Sequence, residues 1–130
     1  MRGVVSTHKD LDIWKIGIEL VKQVYEITNL FPNEETYGLI SQMRRSAISI
    51  PSNISEGAAR NSKREFIQFL YISLGSLAEL ETQMVISTEL GYIPQNSQIF
   101  SQIELLRRKL LNFIKYLKKI KQKMKREAYE

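Results

Sequence analysis

The 130-residue chain has no cysteine. That excludes a disulfide framework, a thiolate zinc cluster and a thiol nucleophile, and it suits a reducing cytoplasm. Histidine is nearly absent too, with His8 alone near the N-terminus. Without any Glu-x-x-His pair, a carboxylate-bridged di-metal centre of the helical-bundle kind lacks its ligands. A serine nucleophile would likewise find no imidazole base on any helix. The glycines form neither a Walker loop nor a dinucleotide loop. No apolar run approaches the ~20 residues of a membrane span, and the opening MRGVVSTHKDLD lacks the apolar centre of a signal peptide. Asn53-Ile54-Ser55 matches a glycosylation sequon, which without a secretory signal reads as chance. The expectation is a cytoplasmic protein, not an enzyme, with no metal, no cofactor and no membrane contact.

What the chain does have is positive charge, unevenly placed. The formal net charge is +5. Residues 1–100 carry −2 and residues 101–130 carry +7, so the basic character belongs to the last element. A cationic face of this kind favours polyanions such as RNA, DNA or an acidic partner.

The length fits one domain with one hydrophobic core. The periodicity predicts an all-α, antiparallel up-down four-helix bundle over residues 10–126, with tails at 1–9 and 127–130. The first helix shows two apolar seams, Leu11-Trp14-Ile18-Val21-Tyr25-Thr28 and Ile13-Gly17-Leu20-Val24-Ile27-Phe31. Both advance by alternating threes and fours, which gives a wide buried face. Asp10 or Asp12 is positioned to cap it, and Phe31-Pro32 ends it. Asn33 is expected to cap the second helix, with Glu34 and Glu35 complementing its dipole.

The second seam, Ile40-Met43-Ala47-Ile50-Ile54-Gly57, keeps one phase across Pro51. That argues for a single kinked helix with Ser49 and Ser52 softening the kink, against the alternative of a break at Pro51. Ser62 and Glu65 form a capping box for the third helix, each side chain placed to satisfy the other's backbone N–H. Its seam is Phe66-Leu70-Ser73-Leu77-Leu80-Met84-Ser87, and Gly75, Ser76 and Ala78 beside it would let another helix approach closely. Leu90-Gly91, reinforced by Pro94, reads as its C-cap. Asn96 or Ser97 starts the fourth helix, whose heptad seam is Ile99-Ile103-Leu106-Leu110-Phe113-Leu117-Ile120-Met124. Strict 4-3 spacing favours left-handed bundle packing.

Two sets of charged residues stand out. Glu79 and Glu81 border the third apolar face, where a carboxylate needs a cationic or hydrogen-bonding partner; Arg44 or Arg45 is available. Lys115, Lys118, Lys119, Lys121, Lys123, Lys125 and Arg126 crowd the end of the fourth helix. They suit its dipole and also suit phosphate contacts, with Tyr116 available for stacking. With Arg44, Arg45, Arg60, Lys63 and Arg64 they make up the candidate nucleic-acid-binding set. The alternative is a scaffold whose basic face meets an acidic protein. Surplus apolar surface on the first and third helices suggests self-association.

The stretch MRRSAISIPSNISEGAARNSKREFIQFL, followed by GSLAELETQ and ELGYI, resembles the small bacterial four-helix-bundle family named for proteins encoded within 23S ribosomal RNA intervening sequences. LDIWKIGIEL and FPNEETYGLISQ extend the resemblance over about residues 9–95, and the last helix matches mainly in pattern. The resemblance implies a ring-like homopentamer. Arg44, Arg45, Pro51, Asn53, Glu56, Gly57, Glu79 and Glu81 fall on the family's motif positions, which implies roles in fold and assembly for them. A related branch comprises accessory proteins of diversity-generating retroelements, where a basic surface engages nucleic acid and a reverse transcriptase. A reverse transcriptase is a partner here only if this chain belongs to that branch.

Overall fold

The computed structural model describes residues 7–128, and four helices dominate it: α1 (Asp12–Thr28), α2 (Leu39–Ala58), α3 (Lys63–Glu89) and α4 (Ile99–Ala128). Each packs on its neighbours in the chain, and α4 closes back on α1. The backbones of the diagonal pairs do not approach within 8 Å. Short connections between long helices force this antiparallel, up-down order, so the expected fold class holds. Among the described residues there is no strand.

Of the two seams on α1, the second faces the core: Ile13, Gly17, Leu20 and Val24 are buried, as is Thr28. Trp14 and Val21 are half-buried, while Ile18 and Tyr25 stay exposed on the outer flank. The start of α1 differs from the expected cap. Leu11 occupies that position with extended backbone and no side-chain hydrogen bond, and Asp12 lies inside the first turn, where it acts by its charge alone. Before it, residues 8–10 form a 3-10 turn, and the His8 ring meets the edge of Trp14 at 5.4 Å.

Asn33 does not cap α2. Residues Asn33–Glu35 form a separate 3-10 turn, and Gly38 (φ −113°, ψ −108°) leaves helical geometry before α2 begins at Leu39. Glu35 supplies the cap function instead, accepting a hydrogen bond from the Leu39 N–H at 3.3 Å on one carboxylate oxygen. Its other oxygen accepts from Tyr92 Oη at 2.9 Å, and the Tyr92 ring packs on Phe31 at 5.1 Å. Tyr92 is delivered there by a Schellman ending of α3. Gly91 sits at φ +80°, its N–H bonds Thr88 O, and the Tyr92 N–H bonds Ser87 O. This latch joins the α1–α2 and α3–α4 connections.

The hydrogen bond to Glu35, then burial and the nearby negative charges, raise the Tyr92 phenol above its ordinary value of 10.0. The folded chain therefore holds this proton more tightly than the unfolded chain. The latch's contribution is complete below about pH 10 and is lost as pH rises through the raised value. The melting temperature of the wild type is expected to fall more steeply above pH 10 than that of Tyr92→Phe. Parallel alkaline melting profiles for the two proteins would rule the latch out.

α2 runs unbroken through Pro51. An interior proline removes one backbone donor and crowds the preceding turn, at a cost of ~3 kcal/mol. Neighbouring carbonyls gain side-chain donors, though not the expected ones. Asn53 Nδ2 donates to the Ser49 carbonyl (2.8 Å) and hydroxyl (2.9 Å), and Ser73 of α3 donates to the Ile50 carbonyl at 2.9 Å. The Ser49 hydroxyl pairs with Ser76 across the seam at 2.8 Å. On the other side of Pro51, Gly17 lets α1 approach: a Cβ there would lie 3.4 Å from the proline ring.

Ser62 caps α3 by accepting from the Glu65 N–H at 3.1 Å. Only half of the expected box forms, because the Glu65 carboxylate accepts from the Ser62 hydroxyl instead of from its backbone N–H. The α4 seam also departs from the 4-3 pattern. Its buried residues are Ile99, Ile103, Leu106, Leu110, Ile114 and Leu117, so the stripe keeps the 3.6-residue period of a straight helix and drifts off a heptad. Phe113 is displaced to the flank, where it meets Phe66 edge-on at 5.6 Å, and Met124 is exposed.

Candidate nucleic-acid interface

Topology decides where the charges go. In an up-down bundle the end of α2, the start of α3 and the end of α4 lie together with the start of α1. Arg60, Lys63 and Arg64 therefore share one end of the molecule with the lysines of residues 115–126. Glu26, Glu34, Glu35 and Glu89 fall at the other end.

α4 is the longest helix at 30 residues, about 45 Å. The start of α1 lies level with its middle: Leu11, Asp12 and Ile13 line a hollow with Lys109, Asn112, Phe113 and Tyr116. Past that level α4 runs beside α3 alone, and residues 121–128 are all exposed.

Between these last turns and the start of α3 lies a cleft of about 470 Å³. Arg64, Gln68 and Tyr71 form one wall, Lys118, Lys121, Gln122 and Lys125 form the other, and buried Ile67 provides an apolar floor. Four cations line it and no carboxylate does. Lys118 Nζ donates to Tyr71 Oη at 2.8 Å, which fixes one ammonium against the wall. A second cationic stripe, formed by Lys119, Lys123 and Arg126 with Gln122 and Glu127, lies on the adjoining face of α4. Lys115 is exposed one turn before Lys119, and Lys63 is half-buried beside Arg64.

Arg44, Arg60 and Arg107 are engaged within the chain. Arg44 Nε donates to Thr28 Oγ1 (2.9 Å), its Nη2 donates to Asn29 Oδ1 (3.0 Å), and its guanidinium covers the Tyr25 ring at 4.2 Å. Arg44 thus ties α2 to the end of α1. Arg60 bonds Glu56 at 2.9 Å, lies 3.6 Å from Glu65 and sits over Phe69 at 4.8 Å. Arg45 is exposed in a polar groove between α2 and α3 with Ser49, Ser76 and Glu79. Glu81 does form an interhelical ion pair, but its partner is Arg107 of α4, which also bonds Glu104. Neither Arg44 nor Arg45 fills that role.

Tyr116, expected for stacking, lies away from the cleft and stacks on Phe113 at 6.1 Å. Tyr71 is the aromatic that the cleft contains. Its signal was present in the sequence as the Arg64-Gln68-Tyr71 spacing, one face of a helix, matched by Lys118-Lys121-Lys125. Among the described residues no three His, Asp or Glu side chains converge to hold a metal. Among the described residues no helix is long and apolar enough to cross a membrane.

The fold and this surface define an all-α bundle protein with a concentrated cationic end. The chain belongs to the family of 23S rRNA-intervening sequence proteins, whose family model matches residues 9–124. A solved structure from Bacteroides thetaiotaomicron, described as a protein of unknown function from the S23 ribosomal protein family, is similar at a TM-score of 0.73. It is 24% identical, and the match covers 79% of this chain and 95% of that one. At that identity the likeness shows the fold. No curated protein matches the chain.

Proposed function

We propose that this protein is a non-enzymatic, cytoplasmic nucleic-acid-binding module that works as a homo-oligomer, with the ring-like pentamer implied by the family resemblance as its expected form. The observation that carries the reading is the α3–α4 cleft, with four cationic side chains and no carboxylate in its lining. Such a surface contacts phosphates and binds by counterion release. Repeating it around a ring would convert weak single contacts into avidity.

The self-association part rests on α3. Its inner face fills the core, yet its outer face presents Ile72 (49% exposed), Val85 and Ile86 around Gly75 and Ala78. Exposed branched residues beside small ones suit that face to close packing against another helix. The same face favours a second reading, a scaffold for another protein, a reverse transcriptase if the chain belongs to the retroelement branch, with nucleic-acid binding incidental.

The test is an anisotropy titration of RNA and DNA at 50 and 200 mM salt, with mass measured by light scattering. Four phosphate contacts per subunit predict a log–log salt slope of about −3, so affinity should fall roughly 50-fold over that range for each subunit engaged. An oligomer that binds neither nucleic acid at 50 mM salt would overturn the nucleic-acid reading and favour the scaffold.

A further inference from the structure

We infer that the α3–α4 cleft takes one unpaired nucleotide of a single-stranded nucleic acid, with its base against Tyr71 and its flanking phosphates on Lys118, Lys121, Lys125 and Arg64. This rests on the nucleic-acid reading above and narrows it to a strand type and a residue.

The geometry at Tyr71 is the starting point. The Lys118 ammonium lies 2.8 Å from the phenol oxygen and 5.2 Å from the ring centroid. A cation at both distances sits off the hydroxyl edge of the ring and not above its face. Tyr25 is the contrast, since the Arg44 guanidinium covers its face at 4.2 Å. Tyr71 is 46% exposed as a residue, and its cleft-lining surface continues onto the apolar floor at Ile67.

An aromatic face beside an apolar floor, ringed by cations, matches the chemistry of a nucleotide: a flat apolar base joined to anionic phosphates. The volume of about 470 Å³ is that of a small-ligand pocket, in the range of ~300–1,000 Å³, and admits a nucleotide but not a double helix. In a duplex the faces of each base are stacked on its neighbours, and only an unpaired base can be turned onto a protein ring. Lys118 to Lys125 spans two helical turns, about 10 Å, so the cations run along the cleft as a strand would.

The experiment uses the full chain and three labelled probes: a ten-residue oligo(U), the corresponding oligo(dT), and a duplex of equal length. The single strands should bind more tightly than the duplex at equal salt. Tyr71→Ala should weaken single-strand binding roughly tenfold, the worth of one base stack, and leave duplex binding within twofold. Its salt slope should be unchanged, because no charge is removed. Tyr71→Phe, which keeps the ring and loses the Lys118 hydrogen bond, should bind within about threefold of wild type, as expected where stacking carries the contact. Melting curves check that both variants fold.

Equal loss on single strand and duplex, or no loss on either, would overturn the inference and leave nucleic-acid binding standing. Displacement of oligo(U) by free uridine monophosphate at micromolar concentration would also overturn it, by assigning the cleft to a mononucleotide. Failure of all three probes to bind wild type would remove the parent reading itself.

Discussion

Gly57→Ala should lower the melting temperature by about 3–8 °C, a large loss for a single added methyl group. An added Cβ would lie 2.7 Å from the Phe69 Cβ, 2.9 Å from Phe66 Cδ1 and 3.2 Å from the Phe66 carbonyl oxygen. The first and last of these are rigidly attached to α3, so no rotamer change relieves them. The end of α2 must move away from the start of α3. Overpacking of this kind costs about 1–3 kcal/mol, occasionally more. Alanine recovers roughly 1 kcal/mol of helix propensity, which leaves the balance against the variant.

The internal control is Gly75→Ala. Nothing lies within 4 Å of a Cβ built at Gly75, so within one chain the same substitution should add about 0.5–1 kcal/mol and a few degrees. Scanning calorimetry of both variants reads the two signs together. If a second copy packs closely on the outer face of α3, Gly75→Ala will lose its gain and light scattering will show weakened assembly. A Gly57→Ala protein that melts with the wild type would refute the close α2–α3 approach.

Replacing Lys118, Lys121 and Lys125 together with glutamine should reduce nucleic-acid affinity by about ten- to a hundredfold at 50 mM salt and make the salt slope shallower by about 2–3. Those residues are three of the four cations lining the α3–α4 cleft. Their positions also make them neighbours along α4, where like charges three and four residues apart repel by a few tenths of a kcal/mol. The triple variant should therefore melt at or slightly above the wild-type temperature while binding worse. The opposite movement of stability and affinity separates a binding role from a structural one. The charge-matched comparison is Lys119→Gln, Lys123→Gln and Arg126→Gln together, which removes three charges from the outer stripe and leaves the cleft intact. An unchanged slope in the cleft variant together with a lower one in the outer variant would move the binding face to the outside of α4.

Local interactions were legible from the residues alone because they act over a few positions. The cap at Ser62, the glycine ending at Gly91 and the continuity of α2 across Pro51 each depend on spacings of one or two turns. The same locality explains the failures. Asn33 has the residue type and acidic neighbours of a cap for α2, yet Gly38 resets the backbone and Glu35 reaches Leu39 from outside the helix. Residue identity alone extends a heptad along all of α4, but burial on it stops at Leu117. Burial requires a neighbour, and α1 begins too far along the bundle to cover Met124.

By itself the sequence determined the number, order and direction of the helices, since hydrophobic period and short connections leave one economical arrangement. It also determined that the last helix would be cationic, because the charge of the last thirty residues is set by composition. Only the tertiary structure decided which charges are free. Arg44 and Arg60 are tied to partners in the same chain, Glu81 takes Arg107 from a helix 26 residues away, and Tyr71 meets Lys118 across 47 residues. Such pairs depend on the relative rotation and stagger of packed helices. Those quantities are fixed by how the whole core fills its space, and no window of sequence contains them.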